Sequence, residues 1–148
     1  MALVDELKTL QANVFNVYSQ AHGYHWNVEG VMFKQFHAFF GEIYDDIYGS
    51  IDPISENIRK LGGHAPFGPM QWLSNSTIQI NDTHGMSALD MVRELIVTNN
   101  ALIAQLMQIF EVANAENQQG IANFIADRID KHQFWNWQLT SSLKVTTT

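Results

Sequence analysis

The 148-residue chain contains no cysteine, which excludes disulfides and thiolate metal sites. Any bound metal must be held by His, Asp, Glu or amide oxygens, a harder donor set suited to iron, manganese or zinc. Basic residues are scarce: 8 Lys and Arg stand against 15 Asp and Glu, for a net charge of -7. The bases never run longer than two together, so nothing is arranged to neutralise nucleic-acid phosphates, and DNA binding is not expected. No stretch approaches the roughly 18 uncharged apolar residues of a membrane-spanning helix. The first residues, MALVDELKTL, have neither a basic start nor an uninterrupted apolar segment, so the reading is a soluble, unexported, cytoplasmic protein. Proline is rare, and two of the three prolines fall between His64 and Gly85.

What the chain does have is apolar residues, 46% of the total, enough for the core of a single domain over residues 1–148. Leu3, Leu7, Leu10, Val14, Val17, Ala21, Tyr24 and Val28 recur at spacings of four and three, the seam of a long helix ending near Asn27 and Gly30. A second seam runs from Phe33 through Phe36, Phe40, Ile43, Ile47, Ile51, Ile54 and Ile58 to Leu61 and stops at Gly62 and Gly63, a pair suited to a left-handed cap. The segment from His64 to Gly85 is too long for a turn and reads as a crossover, with MQWL as a short helix inside it. Met86–Asn114 and Gln118–Leu143 give two more helical patterns joined by a brief connection, and so antiparallel neighbours. No internal repeat is present, and the only low-complexity stretch is the terminal TTT. The fold class is therefore all-α, a four-helix bundle whose long crossover between helices 2 and 3 carries a short extra helix, the ferritin-like connectivity.

His25 follows Tyr24 on the first seam and His37 follows Phe36 on the second, so both lie beside the core. A lone histidine there is more often a hydrogen-bonded interior residue than a ligand, but two on neighbouring helices favour a shared role. Asp52 and Glu56 are one turn apart on one helix face, where two carboxylates can grip one cation. Asp52 followed by Pro53 is also how a helix begins. The apolar register passes from Ile47 to Ile58 without a phase change, which favours a continuous helix kinked at Pro53. His37 and Asp52 are 15 residues apart, roughly 22 Å of helix rise, so they cannot share a metal within one chain. Two copies of the second helix packed antiparallel about a two-fold axis, crossing near Tyr44 to Ile47, would bring His37 of one chain opposite Asp52 and Glu56 of the other. Along the same stripe lie Gly41, Asp45 and Gly49, and the glycines would permit close backbone approach.

The run HWNVEG, then FKQFH with its histidine twelve residues after the first, then DPISE and LGG, resembles the Dps family, the mini-ferritins described as DNA-binding proteins from starved cells. The likeness covers nearly the whole chain, since IANFIADRIDKHQFWNWQL also resembles the family's last helix. It implies a dodecameric shell in which iron is oxidised at sites shared across two-fold interfaces. By position, His25 and His37 match the histidine ligands, Asp52 and Glu56 the carboxylates given by the partner chain, and Trp26 the tryptophan beside the centre. The family's carboxylate one turn after the second histidine falls on Gly41. One iron position keeps His25, Asp52 and Glu56 by this matching, while the other keeps His37 and the bridging Glu56 but loses a ligand.

Other departures concern the surface. Gln118 and Asn123 stand where relatives often place acids around the three-fold pores, leaving Asp127 and Glu116 nearby. The flexible lysine-rich extension of DNA-binding relatives is absent. His22 lies one turn before His25 and faces either that region or a surface hydrogen bond, whereas His64, His84 and His132 read as structural or exposed. Phe33, Phe36, Phe39 and Phe40 read as core. The resemblance implies a ferroxidase that oxidises Fe(II) with hydrogen peroxide or dioxygen and stores ferric mineral, with zinc or manganese as competitors for the site. The alternative is a Dps-like structural shell whose ferroxidase chemistry is weakened or lost through Gly41; DNA compaction is the weakest of the three readings.

Overall fold

The computed structural model describes residues 2–82 and 84–145; the terminal TTT lies outside them. Among the described residues the chain runs through α1 (Ala2–Asn27), α2 (Phe33–Gly49), α3 (Ile51–Lys60), α4 (Pro69–Asn75), α5 (Ala88–Ala115) and α6 (Gln119–Ser142). Four rods make the bundle: α1, the bent α2 and α3 taken together, α5 and α6. The short α4 sits in the crossover and packs on α1.

The first two seams are the core. Leu3, Leu7, Leu10, Val14, Val17, Ala21 and Tyr24 of α1 are buried against Phe36, Phe40, Ile43 and Ile47 of α2 and Ile54 and Ile58 of α3. Truncating any one of the large aliphatic residues to alanine removes about 2–5 kcal/mol of stability. Phe33 departs from its expected place in the core: it is 39% exposed, because it opens α2 beyond the end of α1. In α5 the buried face is Met91, Val92, Leu95, Leu102, Leu106 and Ile109; of the periodic apolar positions Leu89, Val92, Ile96, Ile103, Leu106 and Phe110, only Val92 and Leu106 are buried and the other four are half-buried. The helix is apolar on most sides, so periodicity marks its core face poorly. It is indeed long and apolar enough, by length and composition, to cross a membrane, yet it packs against α1 and α6 as a bundle helix.

The second rod bends at Ser50, three residues before Pro53. Proline has no N–H to give the carbonyl of Gly49, four residues back, and its ring crowds that oxygen, so the helix opens one turn upstream. Ser50 keeps helical angles (φ -84°, ψ -15°), its hydroxyl donates to the Ile47 carbonyl at 2.6 Å, and the Ile54 N–H still reaches the Ser50 carbonyl at 3.2 Å. Asp52 is therefore not an N-cap but a residue of the first turn of α3.

Two turns are closed by Schellman caps. Gly62 at φ +85° donates to Arg59 while Gly63 donates to Ile58, each at 3.0 Å, the paired bonds that satisfy a helix's last carbonyls. Asn117 at φ +58° does the same between α5 and α6, with Asn117 donating to Asn114 and Gln118 to Ala113. The crossover is held by polar side chains of α1. Asn13 is buried, accepts from the Thr77 and Ile78 N–H groups, and donates to the Thr77 hydroxyl; Asn16 donates to the Ile78 carbonyl.

Candidate metal centre

The last turn of a helix leaves carbonyls without partners, and this is where α1 places His25. The His25 carbonyl accepts from His37 Nδ1 at 2.7 Å, and the His37 carbonyl accepts from His25 Nδ1 at 2.6 Å. The two imidazoles stack with centroids 3.8 Å apart. A carbonyl can only accept, so each Nδ1 carries the hydrogen, and the lone pair a metal requires can lie only at Nε2.

Gly41 eases that approach. A Cβ placed there would stand 3.1 Å from His25 Nδ1 and 3.2 Å from its Cε1, a contact that the ring would have to relieve by a few tenths of an ångström.

Behind the pair lies a wall of rings. His22 stacks flat on Tyr44 (3.9 Å, 8°), leans on Trp26 (3.9 Å) and shares a 2.8 Å hydrogen bond with the Tyr18 hydroxyl. Burial and then the neighbouring His25 push the His22 pKa down, and burial first, with Tyr48 and Tyr44 after it, pushes Tyr18 up. Trp26 is 65% exposed, and Phe33 stacks against His37 at 5.0 Å.

The carboxylates sit elsewhere. Asp52 and Glu56 are exposed on α3, and Asp52 raises the Glu56 pKa, first through a hydrogen bond between the two groups and then by its charge. A cation between them would relieve that repulsion. Among the described residues no three His, Asp or Glu side chains converge to hold a metal within one chain. Within one chain the histidine pair and the carboxylate pair stand apart, on α1 with α2 and on α3.

Sequence reasoning missed a third group. Asp46, on the inner side of α2, receives two hydrogen bonds from Arg128, each at 3.0 Å, and one from Trp135 Nε1 at 2.7 Å. Arg128 also meets His132 Nε2 at 3.1 Å, while His132 Nδ1 bonds the Asn99 side chain at 2.8 Å. Burial alone would raise the Asp46 pKa, but the hydrogen bonds from Arg128 and Trp135 outweigh it and hold the carboxyl below its usual range. Burial first, and the Arg128 charge second, depress His132 to about 3. The spacing 128, 132, 135 on one face of α6 was the available signal. The expected structural role of His132 is the one found, and His64 and His84 are exposed. Of the acids near the pore positions, Glu116 is engaged, its carboxylate accepting from the Leu3 N–H at 3.1 Å, whereas Asp127 is exposed.

The bundle and its crossover define a class, and comparison with known proteins gives it a family. Residues 4–147 match the ferritin-like domain family. The Dps protein of Thermosynechococcus elongatus superposes with a TM-score of 0.94 at 25% identity, covering 98% of this chain and 92% of that one. The Dps protein of Vibrio cholerae, described as a member of a broad superfamily of ferritin-like diiron-carboxylate proteins, gives 0.91 at 28% identity over 97% of this chain and 89% of that one. A DNA protection during starvation protein of Brevibacillus brevis is 29% identical over 136 residues, 90% of this chain and 89% of its own length. The chain belongs to the ferritin-like family, and within it to the Dps mini-ferritins.

Proposed function

We propose that this mini-ferritin binds Fe(II) between subunits, oxidises it with hydrogen peroxide or dioxygen, and retains ferric mineral inside a hollow homo-oligomeric shell, a dodecamer on the family's pattern. The observation that carries the reading is the reciprocal bonding of His25 and His37, which fixes both rings and leaves each Nε2 without a hydrogen bond to any of the described residues. The half-sites support a centre completed across a two-fold axis, with His25 and His37 of one chain facing Asp52 and Glu56 of another. Trp26 leans on His22 and Phe33 on His37, and both are exposed, as are Val31, Met32 and Tyr48, the kind of apolar surface an interface covers. Further exposed apolar residues on α4 (Met70, Leu73), α5 (Val97, Met107) and α6 (Phe134, Trp137) suit a shell with more than one kind of contact.

Iron here is the substrate. Histidine nitrogens suit the ferrous ion, carboxylate oxygens favour the ferric product, and Glu56 is the carboxylate this reading assigns to both ions. Crystals soaked in Fe(II) should show anomalous peaks between His25, His37 and the carboxylates of a symmetry mate. Iron found only elsewhere, or the four residues facing solvent in the assembled particle, would overturn the assignment. The second reading, a shell with weakened ferroxidase activity, is favoured by Gly41, and stopped-flow oxidation kinetics separate the two. With a net charge of -7 per chain, the particle should bind DNA weakly or not at all.

A further inference from the structure

We propose that Tyr18, paired with His22, donates one electron when the centre reduces peroxide and is restored by a later Fe(II). This role rests on the ferroxidase reading above. Peroxide needs two electrons to become two waters, whereas one Fe(II) supplies one. On that reading Gly41 leaves the second iron position a ligand short, so the centre would meet peroxide with a single Fe(II) bound. A lone ferrous ion that cleaves peroxide with no second electron available releases hydroxyl radical. A donor beside the site prevents that.

Tyr18 has what such a donor needs. A phenol is oxidised readily only when its proton leaves with the electron, and the Tyr18 oxygen lies 2.8 Å from His22 Nδ1. Of two neutral partners the phenol is the stronger acid, so the hydroxyl donates and the imidazole is the waiting base. The electron has a path of neighbouring rings. Tyr18 is 6.1 Å from Tyr44 between centroids, and Tyr44 lies 5.2 Å from His25; His22 itself stacks on Tyr44 at 3.9 Å. The other candidates lack the base. Tyr24 accepts a hydrogen bond from the Gln20 amide, which cannot take a proton, and Trp26 is largely exposed.

Atoms and electrons balance in this step. The O–O bond of hydrogen peroxide breaks; Fe(II) gives one electron and becomes Fe(III), and Tyr18 gives the other and becomes the neutral phenoxyl radical. Its proton passes to His22 Nδ1, and two protons from solvent complete two waters. A second Fe(II) then gives its electron to the radical and His22 returns the proton, leaving two Fe(III) and the resting pair.

The test is rapid freeze-quench electron paramagnetic resonance on the assembled protein, loaded with at most one Fe(II) per site and mixed with hydrogen peroxide. A tyrosyl radical should form during iron oxidation and decay on adding more Fe(II). It should be lost in Tyr18→Phe, which keeps the ring, and retained in Tyr48→Phe. Spin trapping should detect more hydroxyl radical from Tyr18→Phe than from the native protein. Ring-deuterated tyrosine should narrow the native signal, an assignment to tyrosine that needs no variant to fold. Iron oxidation with no radical, a radical that survives Tyr18→Phe, or a signal unmoved by deuterated tyrosine would overturn the role while leaving the ferroxidase standing. Absence of iron oxidation would bring down both.

Discussion

Two regions of this molecule use histidine in opposite ways, on opposite sides of α2. On the inner side, His132 spends both ring nitrogens, one on Asn99 and one beside Arg128, in a network that also closes over Asp46 and Trp135. On the outer side, His25 and His37 each spend one nitrogen on a carbonyl and keep the other. A polar cluster whose groups satisfy one another holds helices together. One that leaves lone pairs over, at a half-exposed surface, is what the proposed metal centre requires.

Breaking each side should separate stability from activity. Arg128→Ala leaves the Asp46 carboxylate without its partner, and because both side chains are mostly buried it should cost about 3–5 kcal/mol in urea unfolding. Glu56→Ala should do the reverse: rapid oxidation in stopped flow is abolished, while the unfolding midpoint and particle size stay unchanged, since Glu56 is exposed. His37→Ala falls between, losing iron binding by titration and about 1 kcal/mol with its hydrogen bond to the end of α1.

Acid should attack the inner network. His132 takes up its proton at about 3 in the fold but at about 6.5 in the unfolded chain, so the unfolded state binds more protons in between. Stability therefore falls as pH drops from about 6.5 toward about 3. Asp46, with its lowered pKa, acts in the same sense, since its contribution is lost as pH falls through its folded value. Urea midpoints at stepped pH should decline over this window, and His132→Gln should flatten the slope. An unchanged slope would mean that the network does not govern acid stability.

Gly41 sharpens the outer side. Gly41→Asp should fill the second iron position and oxidise Fe(II) faster than Gly41→Ala, which introduces the same Cβ against His25 without a carboxylate. Equal rates in the two variants would show that the missing ligand does not limit the site. The smallest effect expected is on DNA: no retardation of duplex DNA at ~150 mM salt, near physiological ionic strength.

The helices were legible in the sequence because each buries one stripe at a regular period. α5 hid its core face by being apolar on most sides, and Pro53 announced a bend without revealing that the opening would fall upstream, where the missing hydrogen bond is felt. His25, His37, Asp52 and Glu56 were legible as a motif, and among the described residues they do not converge within one chain; their joint role stays with the proposal. The network of Asp46, Arg128, His132 and Asn99 was legible only in its α6 part, through the spacing 128, 132, 135, because its partners on α2 and α5 are joined to that face by no local spacing. Nor could spacing reveal that Gly41 seats His25, or that Asn13 pins the crossover: both depend on a neighbour brought in from elsewhere in the chain.

The bend at Ser50 also sets the direction of the carboxylate pair. Because α3 departs from the line of α2, Asp52 and Glu56 are aimed by a hinge one residue long and stiffened by a proline, whereas the histidines are clamped by two carbonyls. On the proposed reading, an arriving ion would meet one jaw already locked and one carried on a lever, and the tightness of the grip would be set by the angle of that lever more than by the ligands themselves.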